Sequence, residues 1–399
     1  MRMHERGNRM TDIIKEEERE KFREKITNEH PCLMCKDLFE MITERELDKL
    51  IVGEIEARKV IFLCSVGMLV KNAAISSYNL LVNDVAGAGK DFITSNTLKV
   101  IPKFRYLRRT RISPTVFTYW HNAKAEPNWS WEGKTLYLED VSNAVLNSEV
   151  FKVMCSSGSH ATIVKDQRAV DIKINGKPVI IVTSATANPN PELVRRFTIL
   201  NLDSGINQTE EIMDRHCDYA GSGESPKLLL DFENALGMLT LVKVRIPFSD
   251  KLKKMLPSHS VIMRTHILRF LDYIKASAAL YQWQRKVDKN GFILAEEQDY
   301  RVARCALLET TSNKYMIPLT KDQRKILDVF EKLGDYWFTV SDIEPKIKGM
   351  SDKWLRLQLD KLVSYELLEK DNHEEAGSSR KCMVYHKVDV VDIVLPESL

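Results

Sequence analysis

The segment Tyr78–Ile101 (YNLLVNDVAGAGKDFITSNTLKVI) constrains the chain more than any other. An apolar strand runs into a glycine-containing turn, the turn closes on Lys90, and a helical pattern follows. That succession is the context a phosphate-binding loop requires. Gly87 and Gly89 let backbone N–H groups approach phosphate oxygens, the following helix N-terminus favours an anion, and Lys90 reaches the β- and γ-phosphates. The pattern G-x-x-x-x-G-K-[ST] is met only in part. Asp84 stands at the first glycine position and Asp91 where a magnesium-binding hydroxyl belongs. Taken alone, the segment is also compatible with a glycine-rich turn carrying an incidental lysine.

The surroundings suit such a loop. Between residues 78 and 200, short β-rich runs (Tyr78–Val82, Pro114–Tyr119, Lys134–Leu138, Pro178–Thr183, Phe197–Leu200) alternate with helical or loop stretches, as in an α/β sheet. Upstream, apolar residues at helical spacing from Lys36 to Asn72 predict two or three helices broken at Gly53. Asp12–Asn28 is charged with few apolar positions, which predicts a solvated or partner-bound helix. Pro257–Arg285 reads as a helical subdomain after the sheet. At roughly 150 residues per domain, the 399 residues divide into a charged extension (1–35), a core with its lid (36–290), a linker (291–317) and a small C-terminal domain (318–390).

Composition excludes several classes. A chain 44% hydrophobic and 29% charged is neither collagen-like nor wholly disordered. The net charge of +3 is too small to imply nucleic-acid or membrane attraction by the molecule as a whole. The longest apolar run, Val60–Val70, is about half of the ~20 residues a membrane helix needs, so no membrane partner is expected. The charged N-terminus lacks the apolar stretch of a signal peptide, which predicts a cytoplasmic protein. Seven cysteines fit reduced thiols. Cys32 and Cys35, after His30, have the spacing of half a zinc site, but no second pair lies nearby, and two thiols at a helix start is the alternative.

Further residues suit phosphate chemistry. Lys134–Leu138 is an apolar strand ending in Glu139 and Asp140, a pair that can hold Mg2+ and polarise a water, although the common order has Asp first. Pro178–Thr183 leads into Ser184-Ala-Thr-Ala-Asn188-Pro189, where a polar residue at a strand tip can orient water. Arg195 and Arg196 follow, either a surface pair or a cation for a neighbour's γ-phosphate. Ala161–Lys177 reads as two alternating strands around a turn, with Lys165 and Arg168 as contacts to a phosphate backbone or as parts of an ordinary solvated hairpin. The basic run from Lys103 to Arg111 interleaves aromatics, as single-strand binding surfaces do, and equally fits a subunit interface. Leu319 to about Val388 has a winged-helix layout. Its third helix presents Lys353 and Arg356, with Trp354, Leu355, Leu359 and Leu362 packing, and Arg380 and Lys381 lie at the wing.

In this order the motifs resemble the AAA+ core of minichromosome maintenance (MCM) replicative helicases. Leu50–Leu63 is similar to the helix preceding that family's P-loop, with Arg58 in a lysine's place, and Met263–Ala279 resembles its lid helix. The resemblance implies an α/β fold: a P-loop AAA+ three-layer αβα core with a helical lid, plus a C-terminal winged-helix domain. It implies ATP and Mg2+ as cofactors, with Gly87, Ala88, Gly89, Lys90 and Asp91 binding nucleotide and Asp91, Glu139 and Asp140 disposed around the metal. Asn188 takes the sensor-1 role. Arg196, with Arg195 as fallback, is the finger acting on a neighbouring subunit, and Arg264, with Arg269 as fallback, is sensor 2. The implied activity is ATP hydrolysis driving DNA translocation or unwinding by a homo-oligomeric ring, a hexamer. The family's N-terminal collar is missing from the pattern, which implies a partner supplying a collar or primase, or a pared-down version from a virus or mobile element. Asp91 and the inverted Glu139-Asp140 order leave open a nucleotide-gated DNA-binding initiator with little turnover.

Overall fold

The computed structural model describes residues 16–83, 87–113, 129–156, 160–165, 168–173, 175–184, 196–200, 202, 206–223, 226–228, 231–255, 261–311, 321–347, 350–364, 367–374, 381–388 and 395–399. The chain divides into two compact units. The first holds residues up to 188, 195–310 and Leu395–Leu399; the second is formed mainly by 311–394.

In the first unit, helix α1 (Glu16–Glu29) is docked rather than solvated. Ile26 is fully buried, Phe22 stacks on Trp283 with ring centroids 6.3 Å apart, and the Arg19 guanidinium lies 5.3 Å above the same indole. Two apolar residues and one aromatic partner suffice to dock a helix that is otherwise charged. Short turns cover Leu38–Lys49. The chain then bends at Gly53 and Glu54, both left-handed (φ +59° and +53°), and enters α2 (Ile55–Val66), whose buried run makes it a core helix.

Strands β1 (Leu80–Asn83), β2 (Tyr106–Arg109), β3 (Thr135–Leu138), β6 (Val179–Ser184) and β7 (Thr198–Leu200) form one parallel sheet in the order β2-β3-β6-β1-β7. The runs Leu-Leu-Val, Thr-Leu-Tyr-Leu and Val-Ile-Ile-Val-Thr-Ser are buried throughout, as strands covered on both faces must be. β6 lies between β1 and β3 although it follows both in sequence. Between β3 and β6 the chain makes a separate antiparallel hairpin, β4 (His160–Lys165) with β5 (Arg168–Lys173), at the expected place. One strand comes from a segment read as a basic surface: β2 forms the sheet edge, where the adjacent Arg108 and Arg109 reach solvent. The run Pro114–Tyr119 lies outside the described residues.

Four helices complete the elements used here: α3 (Lys90–Thr97), α4 (Glu149–Ser156), α5 (Ile206–Ser222) and α6 (Val261–Leu280). The expected linker at 291–317 is replaced over much of its length by α7 (Glu297–Thr311), part of the first unit. It is fixed by Asp299, fully buried, whose carboxylate accepts from Arg285 Nε and Nη2 (2.9 and 2.8 Å) and from Ser277 Oγ (2.7 Å). The last residues return to α7: Tyr300 Oη donates to Pro396 O (2.6 Å), Arg304 Nε donates to Leu395 O (2.9 Å), and Leu395 is buried.

The second unit has helices α8 (Lys321–Leu333), α9 (Val340–Ile343) and α10 (Asp352–Ser364), and an antiparallel sheet β8-β10-β9 from β8 (Phe338–Thr339), β9 (Leu368–Glu374) and β10 (Lys381–Lys387). Its core is Ile326, Leu327, Phe330, Leu355, Leu359 and Leu362. Trp354, expected to pack with them, is 45% exposed and donates its indole N–H to Asp322 (3.1 Å). At i+4 and i+7 from Leu355, Leu359 and Leu362 continue one buried face, and Trp354 falls beside it. Among the described residues no helix is long and apolar enough to cross a membrane.

Candidate nucleotide site

The site is built at the carboxyl ends of the parallel strands, where open α/β sheets place their ligands. β1 leads into the glycine loop, and Gly87 and Gly89 hold φ of +90° and +82°, a region that side chains with a Cβ adopt at a cost. A Cβ at Gly87 would meet nothing within 4 Å, so conformation rather than space calls for glycine there. Helix α3 opens with no side-chain cap on its N-terminal N–H groups. Lys90, its first residue, is 6% exposed, and its Nζ lies 3.9 Å from Asp91 Oδ2. A largely buried ammonium at the limit of ion-pair distance, beside uncapped N–H donors, fits the phosphates of a nucleotide. One turn further on, Thr94 Oγ1 is buried without a hydrogen-bond partner.

The insertion of β6 between β1 and β3 brings the remaining groups together. Thr183, near the tip of β6, donates its hydroxyl to Asp91 Oδ1 and accepts the Asp140 N–H (3.0 Å). Tyr137 of β3 also donates to Asp91 Oδ1 (3.3 Å), and burial pushes its phenol pKa well up, keeping it a donor. Asp91, in the hydroxyl's place, is therefore tied to both neighbouring strands, with Oδ2 turned toward Lys90. Asp140 turns off β3 with φ of +47°, and Val141 N–H closes the turn on Thr183 O (2.9 Å). Thr183 thus links the Asp91 carboxylate to the Asp140 backbone, and Mg2+, which is held through one or two carboxylates and keeps its other ligands as water and phosphate, asks for no more side chains than this.

Glu139 is engaged elsewhere. Arg108, on the adjoining strand β2, donates Nη2 to Oε1 (2.7 Å) and Oε2 (2.8 Å) and Nε to Oε2 (3.1 Å). The hydrogen bond to Glu139 raises the Arg108 pKa, so the guanidinium remains charged. Sequence reasoning missed both Thr183 and Arg108. The signal for Thr183 was a polar residue ending an otherwise aliphatic run; that for Arg108 was the pair Tyr106-Leu107, a short strand-forming start inside a basic patch. That patch is not a free cationic surface. Arg105 is half-buried, donates to Gly133 O (3.3 Å) and Leu239 O (2.9 Å), and has its pKa pulled down to about 10 by desolvation.

The other expected residues fall in several places. Arg196 stands just before β7, and because Thr198 N–H donates to Asn79 O at the start of β1 (2.8 Å), it lies at the edge of the sheet opposite Lys90. Its Nε donates to Ser156 Oγ (2.7 Å). Asn188, Arg195 and Arg380 lie outside the described residues, as do the side chains of Arg264 in α6 and Lys165 in β4. Arg269 is buried in α6 near Cys64 and Tyr273, where desolvation lowers its pKa. Arg168 begins β5, exposed. Lys353 is exposed on α10, and Arg356 Nε is held by Asp352 Oδ2 (2.9 Å). Cys32 and Cys35 flank a single 3-10 turn; burial raises the Cys32 pKa, disfavouring the thiolate that zinc needs, and among the described residues no three His, Cys, Asp or Glu side chains are grouped to hold a metal.

Residues 45–227 match the family described as the MTBMA_p00010 P-loop domain. The region is similar to a P-loop domain. The match spans the glycine loop, the carboxylate strand, the hairpin, Arg196 and α5, and it supports nucleotide binding at the site built around Lys90. No curated protein matches the chain.

Proposed function

We propose that the chain is an ATP-driven DNA motor of the MCM-like AAA+ type, hydrolysing ATP between the subunits of a homo-oligomeric ring, a hexamer, during replication. The observation that carries this reading is the division of charge between the sheet's two edges. Lys90, Asp91, Thr183, Glu139 and Asp140 lie toward one edge, while Arg196 lies at the other, where it donates to Ser156. A cation so placed serves a nucleotide only on an adjoining subunit. The order of motifs and the three-helix, three-strand second unit, read as a winged helix with Lys353 and Arg356 on its third helix, support a DNA partner.

In this reading Lys90 and the α3 N–H groups bind the phosphates, and Asp91 and Asp140 would hold Mg2+, which would supply positive charge to offset that developing on the phosphate oxygens. Glu139 accepts the proton of the attacking water once Arg108 releases it, Asn188 orients that water, and the neighbour's Arg196 stabilises the transferring group. The hairpin carrying Lys165 and Arg168 grips the DNA backbone.

A second reading has one observation in its favour. Both oxygens of Glu139 are engaged by Arg108, which suits a nucleotide-gated DNA-binding initiator with little turnover. ATP hydrolysis with and without single-stranded DNA at low salt, with Lys90→Ala as control, separates the two. Hydrolysis stimulated by DNA and lost in Lys90→Ala supports the motor. Nucleotide binding without turnover under both conditions overturns it in favour of the initiator.

A further inference from the structure

At the sheet edge opposite the P-loop, three segments meet on one residue. Ser156 ends α4, and β4 begins four residues later. Its Oγ donates to Lys152 O (3.0 Å), so the hydroxyl proton is committed to the helix and the oxygen's lone pairs face outward. One of them accepts Arg196 Nε at 2.7 Å. The carbonyl of Ser156 accepts from Lys177 Nζ, and Lys177 lies between the end of β5 and the start of β6. The entry to the hairpin, its exit and the arginine before β7 are thereby bound to two oxygens of the same residue. Desolvation lowers the Lys177 pKa, which marks a half-buried contact rather than a solvated one. The site is anchored from beneath as well. Cys155 O accepts Asn79 Nδ2 (3.0 Å), and Asn79 also holds Ile180 N–H through Oδ1 (3.0 Å) and Thr198 N–H through its carbonyl (2.8 Å).

We propose that Ser156 is a positioning residue that couples Arg196 to the root of the β4–β5 hairpin. The inference rests on the motor reading, in which Arg196 serves a neighbour's nucleotide and the hairpin holds DNA. A guanidinium drawn toward a phosphate outside its own subunit leaves Ser156 Oγ, and the helix end that anchors the hairpin loses one of its two cationic ties. A guanidinium resting on Ser156 keeps the root closed. Nucleotide state at one subunit boundary is in this way passed to the DNA-holding hairpin through the Ser156 hydroxyl. The residue touches neither nucleotide nor DNA, so it acts on the communication between them.

The test measures ATP turnover with and without single-stranded DNA in the full-length protein for wild type, Ser156→Ala, Ser156→Thr and Lys177→Gln. The expected result is that Ser156→Ala keeps the unstimulated rate and loses about tenfold in DNA stimulation, the low end of what losing a hydrogen bond to a charged group does to an equilibrium. Ser156→Thr, which retains the hydroxyl, restores stimulation, and Lys177→Gln weakens it by the second tie. Stimulation in Ser156→Ala equal to wild type overturns the coupling while leaving the motor reading intact. A fall in Ser156→Ala that Ser156→Thr does not rescue overturns it also, because a hydroxyl-specific link requires rescue. Absence of DNA stimulation in wild type removes the motor reading and the coupling together.

Discussion

The two edges of the parallel sheet handle charge in opposite ways. At the carboxyl edge, cations and carboxylates face one another: Lys90 with Asp91, and Arg108 with Glu139. At the amino edge, Arg196 and Lys177 converge on the uncharged oxygens of Ser156. A carboxylate clamped by a guanidinium is held in reserve until the cation is displaced. A cation resting on a hydroxyl or a carbonyl keeps its charge uncompensated by that partner, so an incoming anion adds an attraction that the neutral oxygen does not offer. One edge is arranged to keep a reactive group waiting, the other to let a charge leave.

The largest test of this contrast is Arg196→Ala. In the assembled protein it should lower ATP turnover by about 1,000-fold, the scale on which such a finger acts. Mixing it with Lys90→Ala should recover part of the activity, since each variant supplies what its neighbour lacks; a mixture no more active than its components would place Arg196 outside a shared site. Next is Glu139→Gln, for which turnover should fall by about 100-fold with nucleotide binding preserved, as measured by a fluorescent ATP analogue.

Away from both edges, His266 on α6 sharpens the comparison, being a buried group kept uncharged. Burial, reinforced by the Arg269 guanidinium, pushes its pKa down to about 3. The unfolded chain takes up the proton near pH 6.5 and the folded chain does not, so stability is complete above that value and is lost as pH falls toward 3. Between pH 7 and pH 5 this group alone should cost about 2 kcal/mol, and His266→Asn should flatten the denaturant midpoint over the same interval by that amount. The smallest effect belongs to the exposed clamp. Arg108→Ala should raise unstimulated hydrolysis severalfold, in the order of about 1 kcal/mol for a half-exposed pair; an unchanged rate would mean that Glu139 is not restrained by it.

Much of the first unit was legible in the sequence. The aliphatic runs placed β1, β3, β6 and β7 within two residues, because strands buried on both faces leave an unbroken apolar record. The turn at Gly53 and the β4–β5 hairpin were legible for the same local reasons. Elements whose fixing contacts are distant in sequence were not. The linker expected at 291–317 hid α7 because its anchor, Asp299, looks like any surface carboxylate until Arg285 and Ser277 are brought to it. The charged helix α1 depends on Trp283, and β2 was concealed by its own arginines. At the site, the glycine loop and both carboxylates could be read directly. The links among them could not, since Thr183 reaches Asp91 and Asp140 only through the crossing that sets β6 between β1 and β3. Trp354 shows the limit of helical spacing, which gives a direction around the helix but not which neighbours arrive to cover it.

Residues Leu395–Leu399 belong to the first unit, fastened to α7 where Arg304 and Tyr300 donate to the carbonyls of Leu395 and Pro396. Trimming these five residues would therefore act on the first unit: it strips the buried Leu395 from the core and takes both acceptors from α7.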